Sequence, residues 1–241
     1  MKDRRGLKLL MIVTVLALVS LGCIFTPSVG RMDSSSEVIE LEGIQEADVE
    51  LRMGAGELTV SSGTRELLEG DFRYSSRDYR PQIDYSVVSG KRGELVIEQE
   101  EVRSFNFNSD YRLEWDLSFT DSIPLDMYVA LGAGKSSLDF RGLQLESLEI
   151  DMGAGDLEVY LPGDLTADLP VSIQGGVGEL RIYLPHDTAV EADITAGLGE
   201  LNADDLERRG GRYIAGEPAS EPSIQLDVEA GIGEMTIEVI D

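Results

Sequence analysis

The chain of 241 residues carries 46 Asp or Glu against 20 Lys or Arg, a net charge of -26. Apolar residues at 42% support a folded core, while 26 Gly and only 6% aromatics favour short strands and tight corners over a helical bundle. A charge this negative argues against nucleic acid as a partner, since phosphate binding needs a basic surface, and one His (His186) with one Cys (Cys23) cannot assemble a Cys or His zinc cluster.

Residues 1–22 read as a secretory signal. Lys2, Arg4, Arg5 and Lys8 form a positive start, and an uncharged, largely apolar run from Leu9 ends at Gly22-Cys23. Ser20-Leu21-Gly22-Cys23 resembles a prokaryotic lipobox, with Ser20 and Leu21 departing from the usual pattern, so Cys23 is the expected lipidation site. The alternative is an uncleaved anchor of about 17 convincingly apolar residues, near the lower limit for a span. Either reading tethers the chain to a membrane with its body outside the cytoplasm. Loss of residues 1–22, which carry a net +3, leaves a mature charge of -29. Residues 23–37, with Ser34, Ser35 and Ser36, read as a short tether.

From residue 38 onward a repeat organises the sequence. Gly54-Ala55-Gly56-Glu57-Leu58 returns as Gly132-Ala133-Gly134-Lys135-Ser136, Gly153-Ala154-Gly155-Asp156-Leu157 and Gly176-Val177-Gly178-Glu179-Leu180. It recurs again as Gly197-Leu198-Gly199-Glu200-Leu201 and Gly231-Ile232-Gly233-Glu234-Met235. Successive first glycines lie 78, 21, 23, 21 and 34 residues apart. Apolar residues alternate before each motif (Leu148, Ile150, Met152) and after it (Leu157, Val159, Leu161), the period of a strand with one buried face. Gly-x-Gly between two strand halves predicts a corner or bulge. A unit of this size cannot bury its face alone, whereas stacked copies can.

The expected fold is therefore all-β: a stacked-strand β-solenoid with rungs of about 21 residues over 123–241, each rung pairing with the next along a ladder, and no helix. Residues 38–122 form a more irregular N-terminal β part. There Gly93-Glu94-Leu95-Val96-Ile97 reads as a decayed copy, flanked by strands through Ile83, Tyr85 and Val87 and through Trp115, Leu117 and Phe119. Asn106 to Arg112 reads as an exposed loop, and Glu207 to Pro222 as a loop inserted into the 34-residue step.

The run from Leu51 to Val60, Ile123-Pro124-Leu125-Asp126 leading into Leu131-Gly132-Ala133-Gly134, and the closing Gly211-Arg212-Tyr213 with Ile224 to Ile237 resemble the toast-rack family. Related domains occur in adhesin-like proteins and in cell-wall-active antibiotic response proteins of the LiaF type. The resemblance covers about residues 38–241. It implies a right-handed stacked-β architecture in an extracytoplasmic or membrane-tethered protein, with no enzyme activity and no assigned binding residues.

Gly132 to Ser136 mimics the end of a phosphate-binding loop, but Val129 stands where that motif needs Gly, and a strand pattern follows where it needs a helix. Nucleotide binding is not expected. The acidic residues Glu57, Asp156, Glu179, Glu200 and Glu234 would stack about 4.8 Å apart if the rungs are in register, repelling by about 0.9 kcal/mol per pair in water. Such an edge either stays solvated or takes a cation such as Ca2+. Phe105, Phe107 and Tyr111 are candidate partner contacts, or they fold back to cap the solenoid. Arg208, Arg209 and Arg212 form the one clear basic patch, for pairing with nearby acids or for self-association. No catalytic residues are assigned and no cofactor is expected apart from that Ca2+.

The function expected from the sequence is a non-enzymatic, membrane-anchored lipoprotein of a prokaryotic envelope, a scaffold for protein or cell-surface interaction with a role in envelope stress. The alternatives are a calcium-stabilised surface adhesin and a carbohydrate-active β-helix.

Overall fold

A computed structural model describes residues 32–88, 90–99, 111–216 and 222–241. Its strands are β1 (Asp33–Ile39), β2 (Glu46–Thr64), β3 (Leu68–Tyr74), β4 (Pro81–Val88), β5 (Arg92–Gln99), β6 (Leu113–Thr120), β7 (Pro124–Asp139), β8 (Gln144–Tyr160), β9 (Leu169–Pro185), β10 (Ala189–Asn202), β11 (Glu207–Arg209), β12 (Arg212–Ala215) and β13 (Ser223–Ile240). A single 3-10 turn, Arg77–Tyr79, is the only helical element among the described residues.

The long strands cannot be straight. β7 and β8 are parallel, with Pro124 beside Gln144 and Asp139 beside Tyr160. Sixteen residues of extended chain span about 50 Å, yet residues 140–143 must carry the chain from the end of β7 to the start of β8, a reach of roughly 18 Å. The strand therefore folds back on itself, and the bend is Gly132-Ala133-Gly134. Burial records the same bend: Leu148, Ile150 and Met152 face inward before the corner of β8, and Leu157 and Val159 after it. An inward position thus jumps by five residues rather than an even number. One extra residue is spent in turning the chain, and both halves of the rung keep their apolar faces on the core.

The path through the sheet runs β1-β3-β6-β2-β7-β8-β9-β13-β10-β12-β11, with β5 on the first half of β2 and β4 on β5. The ladder from β2 to β7 is in register from Ala47/Leu125 to Val60/Leu138, so the N-terminal part continues the solenoid without a break at residues 122 and 123. β5 and β6 together make one split rung: β5 pairs with residues 46–52 of β2, and β6 with residues 57–64. At the N-terminal end β6, β3 and β1 extend the sheet antiparallel, and Trp115 meets Phe72 edge-on at 5.8 Å in the core.

Four sequence expectations need correction. Rungs do not stack strictly in chain order, because β13 inserts between β9 and β10 and pairs in parallel with both. Ser34 to Ser36 lie in strand β1, paired antiparallel with β3, so the end of the expected tether is part of the sheet. Gly93 aligns with Ala47, at the start of the rung, and is not a counterpart of the Gly54 corner. Within the 34-residue step, where a loop was expected, β11 and β12 form a hairpin that pairs with Val190 to Ala192 at the start of β10.

Candidate functional site

The corners superpose into a ladder of four columns. In strand order (β2, β7, β8, β9, β13, β10) the residues between the glycines are Ala55, Ala133, Ala154, Val177, Ile232 and Leu198. Both flanking columns are glycine because the rungs touch there. A Cβ at Gly155 would lie well inside 3.0 Å of the Gly134 carbonyl oxygen, and one at Gly178 would meet Gly155 in the same way. The second glycine also has positive φ throughout, from +130° at Gly155 to +150° at Gly56, where an L side chain is strained.

The first glycine column leaves a furrow about 1020 Å³ in volume along the stack, walled by Arg52, Tyr128, Asp151, Gln174 and Glu229. Within it the Tyr128 hydroxyl donates to Asp151 at 2.8 Å, and that carboxylate raises the tyrosine pKa. Arg52 is bound to Glu50. The furrow is a long, regularly spaced surface, suited to lining an extended ligand.

The fourth column reads Glu57, Lys135, Asp156, Glu179, Glu234 and Glu200. Stacking in register brings the five expected acids into one row, with Lys135 separating Glu57 from the other four. Arg181 binds Glu179 and also Glu158. Among the described residues no group of three or more Asp, Glu, His or Cys converges as a metal site.

The two ends of the ladder differ. At the β2 end the Gly54 and Ala55 amides donate to Gln99 Oε1 at 2.9 and 3.2 Å. Gln99 Nε2 donates to the Tyr111 hydroxyl at 3.1 Å, and that hydroxyl donates to the Ala55 carbonyl at 2.6 Å. Burial raises the Tyr111 pKa, and its ring packs edge-on against Tyr79 at 4.8 Å. Tyr111 therefore caps the corner. Phe105 and Phe107 lie outside the described residues, as does Cys23.

At the β10 end the corner is open. β12 pairs only with Val190 to Ala192, and among the described residues no strand covers the outer edge of residues 193–202. Leu198, Ile232 and Val177 are exposed at 72%, 53% and 52% of their surface. The basic patch lies at this end and is paired in place: Arg209 binds Glu207, Arg212 meets Glu191 and Asp193 at 3.2 Å each, and the Arg208 guanidinium sits 5.4 Å from the Tyr213 ring centre. His186 is exposed and contacts Asp187.

Sequence reasoning missed Gln99 and the exposed apolar row. Nothing marks Gln99 in the sequence, since its role depends on the split rung. The row was visible as a change from Gly-Ala-Gly to Gly-Val-Gly, Gly-Leu-Gly and Gly-Ile-Gly.

Comparison with known proteins agrees with this architecture. No curated protein matches the chain. A crystal structure of a candidate cell adhesion protein from Clostridium sporogenes ATCC 15579 superposes with a TM-score of 0.80 at 29% identity, covering 87% of this chain and 100% of its own. A candidate adhesin from Bacteroides fragilis is 12% identical, covers 87% and 97% of the two chains, and reaches a TM-score of only 0.33, so it carries no argument. Residues 28–183 match the sequence profile described as the N-terminal domain of toast_rack, DUF2154. A match over well over half its length, together with the glycine-cornered stack, shows that this chain belongs to the toast-rack family.

Proposed function

We propose that this is a non-enzymatic, membrane-anchored protein of the cell surface, in which the stacked rungs form a rigid scaffold presenting the corner ladder to partners outside the cell. The observation that carries the reading is the ladder itself: six rungs in continuous register place equivalent side chains at a spacing of about 4.8 Å, a surface built for contact along its length. The description of the Clostridium sporogenes neighbour as a candidate cell adhesion protein supports it. Cys23 is the proposed lipid attachment, and two or three acyl chains at about 0.8 kcal/mol per buried methylene would hold the chain stably. Among the described residues no helix is long and apolar enough to cross a membrane.

The test is fractionation and surface proteolysis of intact cells making the full chain or Cys23→Ala. Membrane-bound, protease-accessible protein that Cys23→Ala releases supports the lipoprotein. Retention of Cys23→Ala in the membrane would replace the lipid with an uncleaved anchor, and a chain shielded from protease in intact cells would sink the surface reading altogether.

A further inference from the structure

The open corner of β10 is a docking site for one more strand, and we infer that its occupant is an extended segment of a partner protein carrying Gly-apolar-Gly followed by Lys or Arg. The inference rests on the surface-scaffold reading only in needing this end of the stack to face outward.

Three independent features point to it. Residues 193–202 present an outer strand edge that no described strand covers, and such an edge is a template for strand addition. The equivalent position at the other end shows what a satisfied corner needs, since Gln99 and Tyr111 supply partners to Gly54 and Ala55 there. Large apolar side chains occupy the middle column only on the three rungs next to the open edge, whereas Ala55, Ala133 and Ala154 fill it toward the capped end. An exposed Val-Ile-Leu row beside an unpaired edge marks an interaction surface rather than scattered surface apolarity.

The chemistry of the occupant follows from the ladder. From β7 onward, the Cβ position of each corner glycine is aimed at the carbonyl of the neighbouring rung on its β2 side: Gly199 at Gly233, Gly197 at Gly231. A strand added in parallel beside β10 would meet the Gly197 and Gly199 carbonyls in the same way and so needs glycine at both positions. Its middle residue extends the apolar row past Leu198. The residue after the second glycine falls beside Glu200, at the end of the run Asp156, Glu179, Glu234, Glu200, and a cation there relieves the repulsion that another acid would add. The chain holds its own precedent. Gly132-Ala133-Gly134-Lys135 places Lys135 between Glu57 and Asp156 in register. A second copy docking its β10 end would bring acid against acid, which disfavours it.

The probe is a fluorescein-labelled peptide with the sequence of Tyr128 to Leu138, titrated with the full chain in detergent and followed by anisotropy. Saturable binding is expected, roughly ten-fold or more weaker for a G132A/G134A peptide, for a K135E peptide, and for the protein variant Leu198→Glu. Ala133→Glu in the protein should leave binding unchanged. Should Leu198→Glu not fold, Glu200→Gln with Glu234→Gln serves instead, with the expected weakening confined to the Lys-bearing peptide. Absence of binding, equal binding by all three peptides, or a wild-type dimer that Leu198→Glu dissolves would overturn the inference, the last by giving the edge to a second copy. None of these outcomes depends on where the protein resides in the cell, so they leave the surface assignment to its own test.

Discussion

The ladder of corners begins at a closed rung and finishes at an open one. At Gly54 and Ala55 the orphan backbone groups of the first full corner are met by Gln99 and Tyr111, which the split rung β5/β6 brings to that point. At Gly197 and Gly199 the same backbone geometry faces no described strand, and the side chain between them, Leu198, is 72% exposed. A repeat makes identical rungs, so its ends are distinguished only by what is added to them. Here one end received polar caps and the other received apolar surface. That asymmetry is the one on which the proposed docking at β10 rests.

The largest expected effect falls between the ends. Gly155→Ala places a Cβ against the Gly134 carbonyl and forces alanine to a φ of +130°, so the rungs on either side must separate. A loss of more than about 3 kcal/mol is expected, enough to unfold the chain or leave it molten. Gly63→Ala is the control: φ is +125°, but nothing lies within 4 Å of the added methyl, and strain alone costs about 1–2 kcal/mol. Urea melts of the two variants separate rung contact from backbone strain. Equal losses would mean that the rungs yield at the corner.

The closed end is tested next. Gln99→Leu leaves the half-buried Ala55 amide and the exposed Gly54 amide without their side-chain acceptor and should cost about 1 kcal/mol, read as an earlier denaturant midpoint with faster exchange of those two amides. If the midpoint stays put, water substitutes for the side chain and the cap is dispensable.

Tyr111 gives the same end a pH dependence. Its pKa is raised above the ordinary 10.0, chiefly by burial, so the folded state holds the proton more tightly than the unfolded chain. The stability linked to that proton is fully present below pH 10 and is lost as pH rises through the folded value. Tyr111→Phe keeps the ring and removes this component. Its stability deficit relative to wild type should therefore shrink between pH 9 and pH 11, and a constant gap would show that the hydroxyl is not protected by the fold.

Much of this was legible in advance, because the features that set the rung are local. Gly-x-Gly marks each corner, and alternation such as Leu148, Ile150, Met152 marks each inward face. What escaped depends on which copies become neighbours. Since every rung has the same edge, β13 can sit between β9 and β10 with all its side chains in register, and no residue in either strand states the order. The only trace was the long 34-residue step, whose extra residues make the β11–β12 hairpin. Gly93 misled for a related reason: beside an acid and a leucine it imitates a corner, yet its partner is Ala47 at the start of a rung. The acid column was foreseen, while Lys135 within it turned from a failed nucleotide motif into the cation that splits the row.

That row supplies a smaller effect. Asp156, Glu179, Glu234 and Glu200 lie on adjacent strands toward the open end, and no three acids converge there among the described residues. Ca2+ needs six to eight oxygens, whereas screening needs only charge. Millimolar CaCl2 and MgCl2 should raise the melting midpoint by similar small amounts relative to chelator. A rise specific to Ca2+ would favour the calcium-stabilised adhesin instead.

The smallest expected change is at Leu198 itself. Its side chain is mostly in water already, and Leu198→Ser removes little buried surface, so folding stability should stay within about 0.5 kcal/mol of wild type. A neutral result is the informative one. Stability does not require a leucine at that place, since alanine fills the equivalent position in β2, β7 and β8, and an exposed leucine beside a strand edge carries an aggregation hazard. A leucine that folding does not need and solubility disfavours is what the proposed docking at β10 predicts. A large destabilisation by serine would instead make Leu198 part of the terminal rung's own packing, and the open end would then be a poorly covered core rather than a surface.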